Sequence, residues 1–176
     1  MGPLGHITQH TATIGPVLEA PATPDWVALT PDPLPVTEVM GWATTPGSGA
    51  VVTFLGVVRD HSEARPGVTG LTYEAYEDEA SRRLGDVASE LRRRWPDVDR
   101  VALLHRTGAL DVSEASVAVV VSSPHRPDAF EAARYAIDTL KETVPVWKQE
   151  HWAGGDDWGQ CAHDVRPVRE PASAER

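Results

Sequence analysis

The sequence predicts an α+β fold, a mixed and largely antiparallel sheet with two main helices. Three observations carry this. Strand-like and helix-like segments alternate irregularly, with hairpin-like neighbours in place of the regular repeat of a doubly wound sheet. Two long stretches, 78–95 and the one ending at Pro145, place apolar residues at helical spacing. Runs rich in β-branched residues, above all 115–123, mark buried strands.

In chain order, residues 1–25 hold Pro3, Pro16, Pro21 and Pro24 among Thr, Gly and Ala and read as a flexible extension, dispensable for chemistry. Residues 26–160 form the folded domain and 161–176 a polar tail. A short strand at 26–30 is followed by Pro31, Pro33 and Pro35, which enforce an extended connection. Thr37 caps a short helix over 38–43. Residues 50–58 are apolar on both faces, as in a buried strand. After a polar loop, 69–76 alternates as a second strand, expected to pair antiparallel with the first. The helix at 78–95 carries Ala80, Leu84, Val87, Ala88, Leu91 and Trp95 as its stripe, and its arginines lie mostly off that stripe, as a solvated basic face. Strands follow at 101–106 and 115–123, separated by a turn at 107–111. The second long helix is expected to have Ser123 as cap, Pro124 in its first turn and Pro145 as its stop. A final strand spans 146–152.

A chain of 176 residues is long enough for one real core. No apolar run approaches the roughly 20 residues needed to span a bilayer, and the N-terminus lacks the pattern of a signal peptide. Cys161 is the single cysteine, which excludes an internal disulfide and a multi-Cys zinc site and points to a reducing cytoplasm. A net charge of −10 argues against nucleic acid or an anionic membrane as partner, yet leaves room for a small anion in a local basic pocket.

The cations are unevenly chosen. The chain has 14 arginines and two lysines, and both lysines, Lys141 and Lys148, lie in one short stretch. Lysine alone offers an amine that can lose its proton when desolvated and act as a base or nucleophile. A cation favouring a helix C-terminus is the bland alternative for Lys141. Arg59 follows a strand, and His125 with Arg126 opens a helix, where free N–H groups favour anions. From His125 to Lys141 is about 24 Å at 1.5 Å per helical residue. Either the two ends serve separate sites, or a second subunit brings one end against the other in a symmetric dimer.

The chain resembles the large, catalytic subunit of molybdopterin synthase, the MoaE family, over about residues 26–160. The resemblance rests on Gly49-Ala-Val-Val-Thr-Phe-Leu-Gly-Val-Val-Arg-Asp-His61, Leu71-Thr-Tyr-Glu-Ala-Tyr76 and His105-Arg-Thr-Gly108. It rests further on Ser123-Pro-His-Arg-Pro-Asp-Ala-Phe-Glu-Ala132, Leu140-Lys141 and Val146-Trp-Lys148. It implies an α/β-hammerhead fold and a homodimer at the centre of a heterotetramer. It also implies a small ubiquitin-like sulfur-carrier partner, whose C-terminal Gly-Gly thiocarboxylate enters the pocket. Two sulfurs would pass to cyclic pyranopterin monophosphate, giving molybdopterin. By this resemblance Lys141 and Lys148 are the catalytic lysines. Arg59, His125 and Arg126 contact the pterin and its phosphate, and Val57, Val58, Gln149 and Glu150 line the same pocket. No cofactor and no metal are expected.

Both proposed ligands are anions, so local cations suit them. One lysine would move protons during sulfur attack while the other steadies phosphate or oxyanion. Strand 146–152 is a candidate edge for the carrier's extended tail. The chain departs from the family pattern at Asp156-Asp157-Trp158, which is acidic where the family often has a basic residue, and at Val57, where it often has Lys. The first 25 residues have no counterpart. Two rival readings are a Schiff-base lysine lyase, which borohydride would trap without a carrier, and a non-catalytic docking module for a ubiquitin-like tail, which should not need all five of Lys141, Lys148, Arg59, His125 and Arg126.

Overall fold

The valine run near residue 120 forms the centre of the first of two sheets. The computed structural model describes residues 18–62 and 66–158. Its elements are β1 (Asp25–Thr30), α1 (Val36–Ala43), β2 (Ala50–Val57), β3 (Val68–Ala75), α2 (Glu77–Arg94), β4 (Val101–Arg106), β5 (Gly108–Asp111), β6 (Ala115–Ser123), α3 (Arg126–Thr143), β7 (Val146–Trp152) and β8 (Gly155–Trp158). The first sheet has the order β1-β4-β6-β2, with β1 parallel to β4 and the other neighbours antiparallel. Period-two alternation divides its side chains between two cores. Val101, Leu103, Val117, Val119 and Val121 face α2 and α3, meeting Leu84, Val87, Leu91, Ala136 and Leu140. The residues between them, Ala102, Leu104, Ala118 and Val120, face the other way and meet Trp26, Val39 and Ala43. Burial on both faces is why these strands read as continuous apolar runs.

The second sheet, ordered β5-β3-β7-β8, is antiparallel throughout and has its own small core of Val58, Val68, Leu71, Tyr73 and Leu110. The α+β class and the two long helices stand as the sequence predicts. No helix among the described residues is long and apolar enough to cross a membrane.

Several local expectations are corrected. β2 and β3 do not pair: β2 joins β6 and β3 joins β5 and β7, so the loop between them links two sheets. The turn expected at 107–111 contains a strand, β5, made possible where Gly108 takes φ +79° and redirects the chain leaving β4 into the second sheet. Ser123 does not cap α3. It is held in β6 opposite Ala50, its Oγ accepts from the His125 N–H at 3.3 Å, and His125 takes the cap position with Pro127 in the first turn. β7 is not an edge, because β8 covers the side away from β3. Residues 18–24, counted with the flexible extension, are anchored: Leu18 packs on the second core, and the Trp42 indole N–H donates to the Pro21 carbonyl at 3.2 Å. Residues 1–17 and the tail from 159 lie outside the described residues.

The basic face of α2 is paired within its own helix. Arg82 bridges Glu79 and Asp86, and Arg93 and Arg94 share Glu90. Such exposed pairs contribute little, of order 0–1 kcal/mol each. Arg92 differs, binding Asp25 at 2.6 Å and the carbonyls of Pro24, Val98 and Asp99, so it fixes the entry to β1 against the loop before β4.

Gly49 marks the tightest backbone approach in the first sheet. Its N–H donates to the Ser123 carbonyl at 3.0 Å, and a Cβ on it would lie 2.1 Å from the Pro124 carbonyl oxygen. Gly49→Ala must therefore push the β6–α3 link away, and a loss of about 1–3 kcal/mol is expected in urea unfolding. An unchanged midpoint would refute the close approach.

Candidate active site

The two lysines arrive at one cavity from different elements. α3 delivers Lys141 from its last turn, and Pro145 then ends the helical path and starts β7. In β7 alternate side chains share a face, so Val146, Lys148 and Glu150 point one way and Trp147 and Gln149 the other. The first set lines a cavity of 240 Å³ together with Leu140, Lys141 and Val144 from α3. The segment at the end of β2 contributes Val57, Arg59 and His61, β3 contributes Leu71 and Tyr73, and β4 and β6 contribute His105 and Ser116.

Arg59 is held by its neighbours' backbone. The Val58 N–H donates to the Glu114 carbonyl at 3.0 Å, and the Ser113 N–H donates to the Val58 carbonyl at 2.8 Å. Ser113 is the one described non-glycine residue with positive φ. The Glu114 carboxylate accepts the Asp111 N–H at 2.8 Å and pairs with buried Arg106 at 3.1 Å. The Asp111 amide and the Arg106 guanidinium hold the Glu114 carboxyl below its usual range. Arg106 thus pins the β5–β6 turn, and the turn pins the residue before Arg59.

On β7 the Lys148 Nζ donates to Glu150 Oε1 at 3.0 Å, and Glu150 is buried. A buried carboxylate needs a paired cation, so this pair costs less together than either charge alone. His105, at 2 % exposure, is the most deeply buried ionisable group of the wall. Its Nδ1 donates to the Arg106 carbonyl at 2.7 Å, and its ring meets Tyr73 edge-on with centroids 5.1 Å apart. Burial first, and the Lys141 charge as well, push its pKa down to about 4.

Of the residues singled out in the sequence, Val57, Arg59, Lys141, Lys148 and Glu150 line this cavity. Val58 does not: it is buried in the second sheet's core and serves through its backbone. Gln149 does not either, since it lies on the opposite face of β7 and its Nε2 donates to Asp156 at 2.7 Å. That bond also engages one of the acidic residues by which the chain departs from its family pattern. His125 and Arg126 are exposed at the far end of α3, as the helix length requires. His105 and Tyr73 were not singled out as site residues; the available signal was a polar side chain near the end of an otherwise apolar strand. Among the described residues no group of His, Cys, Asp and Glu could hold a metal ion.

The family described as MoaE protein matches residues 29–143. The molybdopterin synthase catalytic subunit of Nostoc sp. is 44% identical over 135 residues, covering 77% of this chain and 81% of that protein. The protein of the same name from Halalkalibacterium halodurans is 40% identical over 131 residues, covering 74% and 83%. The crystal structure of molybdopterin synthase from Staphylococcus aureus is similar at a TM-score of 0.71 and 35% identity, over 76% of this chain and 96% of that one.

The buried imidazole makes a pH prediction. The unfolded ring titrates near 6.5 and the folded one at about 4. Between those values the unfolded chain binds a proton that the folded chain lacks, so stability falls as pH drops through the window and is unaffected above it. From pH 7 to pH 5 this removes about 2 kcal/mol. Urea unfolding at both pH values should show that extra loss in the wild type and not in His105→Gln; equal losses would refute it.

Proposed function

The chain belongs to the MoaE protein family, enzymes of molybdenum cofactor biosynthesis, and on that premise we propose that it transfers sulfur to a pterin phosphate. The substrate is cyclic pyranopterin monophosphate, the product is molybdopterin, and the sulfur comes from the thiocarboxylated C-terminus of a small ubiquitin-like carrier subunit. The observation that carries this reading is the convergence of Lys141, Lys148 and Arg59, from three parts of the chain, on one cavity. In a chain of net charge −10 such a cluster is a local exception, and it suits two anionic reactants. Cations already in place stabilise the charge that develops as the thiocarboxylate sulfur attacks the pterin and as water then cleaves the acyl–sulfur bond, returning the carrier's carboxylate. Lys148 is steadied by Glu150. Lys141 stands in the last turn of α3.

His125 and Arg126 enter the same reading through a second copy of the chain. Some 24 Å of helix separates them from Lys141, so they serve one pterin only across a symmetric dimer. Exposed apolar side chains give such a dimer a face to cover: Phe54, Leu55 and Val57 along the outer strand β2, and Phe130 on α3 at 62 % exposure.

Reconstitution with a thiocarboxylated carrier and the cyclic pterin tests these roles. Lys141→Ala and Lys148→Ala should each reduce product formation by about 10²–10⁴-fold with the fold intact; wild-type turnover in either would remove that lysine from the chemistry. Arg126→Ala should weaken pterin binding. At pterin concentrations that do not saturate the Arg126→Ala enzyme, mixing Arg126→Ala chains with Lys141→Ala chains should raise activity above that of either alone, because a mixed dimer holds one complete pocket. No recovery, or sedimentation of an active monomer, would rule out the shared site.

A further inference from the structure

The rim of the lysine cavity carries a histidine–carboxylate pair that the lysine chemistry does not use. His61 lines the cavity two residues beyond Arg59, and both His61 and its neighbour Asp60 are exposed. His61 Nδ1 lies 2.7 Å from Asp60 Oδ1. A carboxylate only accepts, so Nδ1 carries the proton and Nε2 of the neutral ring keeps its lone pair. That nitrogen makes no hydrogen bond among the described residues. The bond from His61 also holds the Asp60 carboxyl below its usual range, so the orienting partner stays ionised. The backbone around the pair is fixed on both sides. The Val68 N–H donates to the Asp60 carbonyl at 2.8 Å, His61 forms an antiparallel bridge with Pro66, and Val58 is tied to the β5–β6 turn.

Sulfur transfer includes a step that needs such a pair. Once the thiocarboxylate sulfur has joined the pterin, the carrier is still attached through its acyl carbon, and water must break the acyl–sulfur bond. The carrier's tail enters from solvent, so its acyl carbon follows the sulfur and lies nearer the opening. Water reaches an exposed rim more readily than a buried wall. His105, the other imidazole lining the cavity, is 2 % exposed, and burial pushes its pKa down to about 4, which makes it a weak base. An imidazole steered by a carboxylate is suited to taking a proton from water near neutral pH.

We propose that His61, oriented by Asp60, is the general base for the water that cleaves the acyl–sulfur bond and releases the carrier. This rests on the sulfur-transfer reading. The water oxygen bonds to the acyl carbon as Nε2 takes one of its protons. The carbon–sulfur bond then breaks, its electron pair stays with the sulfur on the pterin, and the imidazolium returns the proton to that sulfur. The carrier leaves as a carboxylic acid, which ionises in solvent.

A single turnover with thiocarboxylated carrier and cyclic pterin, quenched in acid and read by the intact mass of the carrier, tests this step. His61→Gln should form the carrier–pterin adduct within about threefold of the wild-type rate and then hold it, its decay slowed about 10²–10⁴-fold. Asp60→Asn should slow the same decay about tenfold, the lower end for a bond to a charged partner. Both positions are exposed, so urea unfolding midpoints should match the wild type, which separates a chemical effect from a structural one. Decay at the wild-type rate in His61→Gln, or a loss of adduct formation in place of its breakdown, would overturn the proposal. A wild type that makes no sulfurated pterin would instead defeat the sulfur-transfer reading, and this step with it.

Discussion

A single helix sets the distances on which the site depends. The 18 residues of α3 extend about 27 Å. Ala129, Ala132, Ala133 and Ala136 let it lie close against the first sheet. Its start is tied to the edge where β2 meets β6, and its end reaches the second sheet, where Pro145 turns the chain into β7. Lys141 and Lys148 meet because the helix ends there. His125 and Arg126 are remote from them for the same reason. The helix cannot shorten without removing the stripe of Ile137, Leu140 and Val144 from the main core.

The cavity is a junction between two sheets, and its groups are held by backbone more than by one another. Arg59 has no helix or strand of its own; its place follows from Val58, bonded to the β5–β6 turn, and from the Arg106–Glu114 pair beneath that turn. A buried ion pair is weak evidence for stability, but losing one partner leaves the other charge uncompensated, so such a pair holds its geometry firmly. The same logic covers Lys148 and Glu150. The protein as a whole is acidic and surface arginines on α2 pair with acids of their own helix, whereas Arg59, Lys141 and Lys148 line one cavity at the junction.

Much of this was legible in the residues. Period-two and period-3.6 patterns report local geometry, which is why the helices near 78–95 and 126–143 and the strands at 101–106 and 115–123 stand within a few residues of their expected bounds. The scarcity of lysine pointed to Lys141 and Lys148, and helix rise alone separated His125 from them. Strand partners were not legible, because pairing is decided between segments distant in sequence. β2 and β3 looked like a hairpin and belong to different sheets. β8, with Gly155, Asp156, Asp157 and Trp158, has little strand propensity and exists because β7 offers it a ladder.

The sequence by itself determined the long helices and the apolar strands, the α+β class and the residue types able to do the chemistry, since each follows from local periodicity or from the properties of a side chain. Only the tertiary structure decided which of them meet. It turned Gln149 away and Glu150 inward by the alternation of one strand, took Val58 into the core, and buried His105 against Tyr73 on the wall of the lysine cavity. Burial and proximity depend on the whole chain, so no single stretch could have revealed them.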